Sequence, residues 1–164
     1  MNRIQKMAAA ILALCMMVFC AACGSPQTQA DATQSPAASA QVQEGQSLSV
    51  TVKIECSTAA AQNEAIRNQY GTEGIIVSQT VQVAEGATVY DALKAACSDF
   101  QEKDGYVYKI GSLSAGDMGE MSGWMFSVNG EYGMLGAKEQ TLSNGDVVEW
   151  RYTCDGGEDV GSTT

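Results

Sequence analysis

Strict alternation of apolar and polar residues marks Ser49–Cys56, where Val50, Val52, Ile54 and Cys56 share one side and Thr51, Lys53 and Glu55 the other. The same period of two returns in Ile75–Val83, with Ile75, Val77, Val81 and Val83 in phase. It returns again in Val147–Cys154, where Val148, Trp150, Tyr152 and Cys154 alternate with Glu149, Arg151 and Thr153. Shorter stretches, Tyr106–Ile110 and Trp124–Val128, also read as strands. Between the second and third strands the period becomes helical: Tyr90, Leu93, Cys97 and Phe100 fall on one face. Thr88 stands as the N-cap with Asp91 at the third helical position, which predicts a helix from Val89 to about Phe100. Ser57–Gly74 shows neither period and reads as a long irregular excursion.

Turn chemistry orders these elements. Asn129-Gly130 between apolar residues predicts a tight hairpin, because both central positions of the favoured turn need positive φ. Leu142-Ser143-Asn144-Gly145-Asp146 predicts a second turn launching the last strand. Two strands, one helix and three further strands make an α+β unit. Its crossover and final turn are similar to a β-grasp architecture: a mixed sheet of about five strands with one helix on one face. In that architecture the first and last strands are parallel central neighbours.

The chain before this unit has a different character. Arg3 and Lys6 precede the apolar run Met7–Phe19, which is too short to span a bilayer comfortably. Small residues then lead to Cys23, so residues 1–22 resemble a bacterial lipoprotein signal peptide with lipidation at Cys23. Two acyl chains on that cysteine would anchor the protein stably to the membrane at its extracytoplasmic face. Residues 23–47, rich in Ala, Gln, Ser and Thr, read as a disordered tether. Residues 48–155 carry the folded domain, and 156–164 read as a flexible acidic tail.

Charge and composition narrow the functional classes. Without Arg3 and Lys6, 7 basic residues face 19 acidic ones, a net charge of −12, which would repel nucleic acid. There is no histidine, so the commonest general base and transition-metal ligand are missing. No nucleophile sits in an activating motif, and the acidic pair Glu158-Asp159 reads as a solvated run. Binding without catalysis is therefore expected, with no catalytic residue, resident metal or required cofactor.

Four stretches in order, Val52–Cys56, Val89–Lys94, Gly123–Gly130 and Gly145–Tyr152, resemble the transcobalamin-like C-terminal domain of bacterial surface proteins. The resemblance implies a small β-rich domain that closes over a corrinoid such as cobalamin, the rest of the ligand being held by a larger helical domain. No such helical half is evident within these 164 residues, so a partner protein supplying the other half of the site is implied. The family's hairpin tryptophan falls on Trp124 and its glycine-bearing loop on Tyr132–Gly136.

The candidate ligand-binding residues are thus Trp124, Met125, Tyr132, Gly133, Met134, Leu135 and Gly136. Trp124 also fits a core position, whereas the flanking glycines place Met134 and Leu135 at a loop tip. Met118, Met121 and Met125 lie close in sequence, and polarizable thioethers suit an irregular apolar ligand. The alternative is a cell-surface structural or protein-interaction module using the same hairpin. Cys56, Cys97 and Cys154 all fall on core-facing positions. Cys56 and Cys154 are a candidate disulfide across the parallel central strands, with the two other pairings, or three buried free thiols, as the alternatives.

Overall fold

The computed structural model describes residues 47–162; the expected signal peptide, Cys23 and all but the last residue of the tether lie outside them. Its first strand, β1 (Ser47–Glu55), is followed by two short helices, α1 (Ser57–Gln62) and α2 (Glu64–Tyr70). Then come β2 (Ile75–Ala84), α3 (Val89–Ala96), β3 (Phe100–Lys103), β4 (Tyr106–Ile110) and β5 (Leu113–Ser114). The chain continues through β6 (Gly123–Val128), β7 (Glu131–Tyr132) and β8 (Val147–Thr153) to a 3₁₀ turn at Glu158–Val160.

The fold is α+β. A five-stranded mixed sheet has the order β2-β1-β8-β6-β7, and β3-β4-β5 form a second sheet. The central pair β1–β8 is parallel, with Thr51 to Glu55 in register with Val147 to Arg151. All other pairings are antiparallel. Register puts Val50, Val52, Ile54, Val148, Trp150, Tyr152, Trp124 and Phe126 on one face, where α3 buries Val89, Ala92 and Leu93. The opposite face is polar and carries Lys53, Glu55, Glu149 and Arg151. Among the described residues no helix is long and apolar enough to cross a membrane.

Helix α3 starts as its sequence predicts. The Thr88 hydroxyl accepts from Asp91 N–H, and the Asp91 carboxylate accepts from Thr88 N–H at 3.0 Å, a complete capping box. These bonds from Thr88 hold the Asp91 carboxyl below its ordinary value. The helix ends earlier than the periodicity predicts. Cys97 is extended at φ −144° and ψ 129°, and Phe100 opens β3. Phe100 nevertheless meets the helix, packing edge-on against Tyr90 with ring centroids 5.7 Å apart. The predicted contact exists but is made from a strand.

Ser57–Gly74 is also a correction, because it folds into α1 and α2. Both are short and lack an apolar stripe. Ala59 and Ala60 are the buried residues of α1, while α2 buries none. Asn63 ends α1 and caps α2, its side-chain oxygen accepting from Ala65 and Ile66 N–H. Gly74 closes the excursion at φ +61°, where a Cβ would lie 2.6 Å from the backbone of Cys56 and Ser57, so only glycine fits.

The acidic tail is a third correction over the residues described. Tyr132 hydroxyl donates to Val160 C=O at 2.9 Å and Arg151 Nη1 donates to the same oxygen at 3.3 Å. Val160 and Ser162 are buried. Asp159 does not form a solvated pair with Glu158. Its carboxylate accepts from the Thr153 hydroxyl and from Cys154 N–H, which pins the turn to the end of β8. Cys56, Cys97 and Cys154 are free thiols in the structure.

Candidate functional site

The hairpin that shapes the site is fixed by two residues. Asn129 (φ +54°) and Gly130 (φ +85°) both adopt the left-handed conformation that a two-residue turn between β6 and β7 needs. Asn129 is also tied to the start of β8: its N–H bonds Val147 C=O at 2.8 Å and its side chain bonds Val147 N–H and Asp146. β7 pairs only with Ser127 and Val128 before the chain leaves the sheet. The outer edge of β6 from Gly123 to Phe126 is therefore not paired with another strand.

A cavity of about 580 Å³ opens along this edge, within the usual size range of small-ligand sites. Trp124, Met125, Phe126 and Trp150 line it from the large sheet. Gly105, Tyr106 and Val107 line it from the β3–β4 turn, and Tyr132–Ala137 from the loop after β7. All seven residues singled out in the sequence, Trp124, Met125, Tyr132, Gly133, Met134, Leu135 and Gly136, border this one space. Met134 is fully exposed, and Leu135 and Tyr106 are each about half exposed at 52% and 54%. Apolar side chains held into solvent around a cavity offer contact area to a ligand.

The lining residues divide by role. Trp124 is only 3% exposed, donates its indole N–H to Leu113 C=O at 3.1 Å, and meets Tyr152 edge-on at 5.2 Å. It is a core residue that also reaches the cavity. Tyr152 is locked in turn by donating to Ser114 C=O at 2.6 Å, and burial raises its phenol pKa. Phe126 and Trp150 form a second aromatic pair at 5.2 Å. The Trp150 indole N–H is buried with no hydrogen-bond partner among the described residues, an arrangement that typically costs about 1–3 kcal/mol. Tyr132 is partly buried, which raises its pKa, and its hydroxyl is spent on the tail.

The methionines are not gathered as their spacing suggests. Met125 and Met134 border the cavity, whereas Met118 packs on the core with its sulfur 3.9 Å from Asn63 Nδ2. Met121 lies against Gly156. Sequence reasoning missed Tyr106, Phe126, Trp150 and the Asp104-Gly105 turn as site residues. The available signal was the Asp-Gly pair between two short alternating runs, the same hairpin cue that identifies Asn129-Gly130.

The charged groups lie to the side. A second depression of about 470 Å³ shares Gly105 and Gly136 with the main cavity and is bordered by Glu102, Asp104, Lys138 and Glu139. Lys138 is engaged there, 3.0 Å from Glu102 and 4.7 Å above the Tyr90 ring. The hydrogen bond from Lys138 holds the Glu102 carboxyl below its ordinary range. On the polar sheet face Arg151 sits 3.1 Å from Glu55 and 3.4 Å from Glu149. Desolvation opposes its charge, but Glu149, Tyr132 and Glu55 outweigh that, so its pKa is raised. Its Nε is close to Glu55 without hydrogen-bond alignment. Among the described residues no group of three or more metal-ligating side chains converges.

Residues 86–154, from the turn before α3 through β8, match the model of a domain of unknown function, DUF4430. A comparison with curated proteins finds no match. Among solved structures, haptocorrin in complex with Cbi is similar at 18% identity over 66% of this chain, with a TM-score of 0.47. This chain spans 25% of that one. A proposed metal-binding protein from Ruminococcus gnavus ATCC 29149 is similar at 14% identity over 65% of this chain and 96% of its own, with a TM-score of 0.44.

Proposed function

We propose that this is a ligand-binding domain whose site is the cavity between β6, the β3–β4 turn and the Tyr132–Ala137 loop. The observation that carries the reading is the convergence of Trp124, Met125, Tyr132 and Gly133–Gly136 on one apolar space, with Met134 and Leu135 exposed at its edge. Aromatic and thioether surfaces suit a flat, largely apolar ligand. The motif resemblance to the transcobalamin-like domain makes a corrinoid such as cobalamin the first ligand to test, with capture for uptake as the role. A groove open on one side is consistent with a partner protein covering the rest of the ligand.

Binding without catalysis belongs to the same proposal: the chain has no histidine, and the Cys56 and Cys154 thiols do not favour the nucleophilic form. Burial pushes the Cys56 pKa up to about 11 and also raises that of Cys154. The lipid anchor at Cys23 and an extracytoplasmic location complete the proposal, supported by the signal-like pattern of residues 1–22. Calorimetry of the full chain with cobalamin tests the ligand: heat of binding supports it, and no heat at millimolar corrinoid removes that form of the reading. Incorporation of labelled fatty acid, lost in Cys23→Ala, tests the anchor.

A further inference from the structure

The backbone of β6 alternates between two directions. Asn129 N–H bonds Val147 C=O across the β6–β8 register, so Ser127, Met125 and Gly123, at spacings of two, also direct their peptide groups to β8. Val128 closes the two-residue turn against Glu131 and directs its groups the other way. The same alternation directs the peptide groups of Phe126 and Trp124 outward, to the side where no strand is paired with them and the cavity lies. No turn or loop backbone hydrogen bond among the described residues reaches the N–H or C=O of either residue. An apolar cavity thus has, along one wall, two outward-directed donors and two outward-directed acceptors at strand spacing. Buried backbone groups are normally paired.

We infer that the open edge of β6 at Trp124 and Phe126 is the polar recognition element of the cavity and selects carboxamide-bearing ligands over carboxylates. This rests on the reading of the cavity as the ligand site. A carboxamide has a carbonyl acceptor for a backbone N–H and an N–H donor for the adjacent C=O, so it satisfies the edge as a neighbouring strand would. A carboxylate only accepts. It would leave the carbonyls of Trp124 and Phe126 unmatched and bring negative charge beside Asp104 and Glu139, which border the adjoining depression. Glu102 is already matched there by Lys138. The edge therefore supplies amide geometry, and the acidic border adds discrimination against anions.

The test uses two matched pairs of ligands on the ¹⁵N-labelled full chain. One pair is a corrinoid with intact peripheral carboxamides and the same ring with those groups hydrolysed to carboxylates. The other is 4-methylpentanamide and 4-methylpentanoate, which owe nothing to a corrin ring and differ only in the amide. The inference expects the amide of each pair to bind about tenfold or more tightly and to shift the Trp124 and Phe126 N–H signals while leaving Met125 and Ser127 nearly fixed. Asp104→Asn with Glu139→Gln should narrow the preference at low salt without moving the set of shifted signals. Equal affinity within each pair, or shifts confined to residues away from β6, overturns the inference even where the corrinoid binds. Selectivity for 4-methylpentanamide without corrinoid binding keeps the edge and removes the corrinoid. Silence with all four ligands overturns both.

Discussion

Phe126 and Trp150 face each other across the β6–β8 ladder with ring centroids 5.2 Å apart, and both border the same cavity. Two residues along each strand, Trp124 and Tyr152 make the equivalent pair at 5.2 Å; Trp124, Tyr152 and Trp150 are almost wholly buried and Phe126 is half-buried. The aromatic ladder is part of the core, and three of its four rings, Trp124, Phe126 and Trp150, also border the cavity. On the proposed reading of the cavity, substitutions in the ladder act on stability and those in the Met134–Leu135 loop on binding.

Within the ladder, Trp124→Ala removes the edge contact with Tyr152 and the donor to Leu113 C=O. Loss of a buried aromatic side chain costs about 3–5 kcal/mol. A large fall in the denaturation midpoint of the full chain is expected. Trp124→Phe should fall less, retaining the ring contact while leaving the Leu113 carbonyl without its donor.

In the loop after β7, Met134→Ala and Leu135→Ala alter exposed side chains with little packing to lose. Their stability should change by no more than about 0.5 kcal/mol. Ligand affinity should nevertheless fall measurably in calorimetry with cobalamin. A variant that destabilises the domain as Trp124→Ala does would return this loop to the core.

The three thiols among the described residues should alkylate in order of burial. Cys56 is fully buried and its pKa is pushed up to about 11, whereas Cys97 and Cys154 are partly exposed. Burial also raises the Cys154 pKa. Iodoacetamide near pH 8 on the native chain should modify Cys97 first, then Cys154, and Cys56 only on unfolding. The sign for Cys56 is that its neutral form favours the fold: its contribution is complete below pH 9.0 and is lost as pH rises through about 11. Mass spectrometry of timed samples reads the order.

Asp91 works at the acid end. Hydrogen bonds from Thr88 lower its pKa in the fold, so its contribution is present above the unfolded value of 3.8 and disappears as pH falls through the lower folded value. Melting curves should show Asp91→Asn losing less stability than the wild type across that acid window. Thr88→Ala should cost about 1 kcal/mol near neutrality, as removal of an N-cap does.

The parts of this fold visible in the sequence are those written by local physics. The alternation of Val50, Val52 and Ile54 is enough to place β1, because one face of it meets α3 and the other carries ion pairs. Thr88 and Asp91 announce α3, and Asn129-Gly130 the hairpin, since caps and turns depend on neighbours in sequence. The misread parts depend on distant partners. Phe100 fits a helical face by spacing, yet its backbone is claimed by the β3–β4 pairing. Ser57–Gly74 has no stripe to read because α1 and α2 are fixed by Asn63 capping and by the contact of Gly74 with Cys56. The residues after Asp155 look acidic and solvated, but Tyr132 and Arg151, both from other elements, hold Val160. At the site, the Tyr132–Gly136 loop was legible from its glycines. Trp150 was not, because only the register with Phe126 brings it to the cavity.

The most direct measurement is co-elution of a coloured corrinoid with the full chain on a desalting column, followed by its visible absorbance. The account predicts that cobalamin travels with the wild-type protein and is left behind by Leu135→Asp, whose fold is unchanged by circular dichroism. Cobalamin wholly in the salt volume with the wild type, or retained equally by Leu135→Asp, would contradict it.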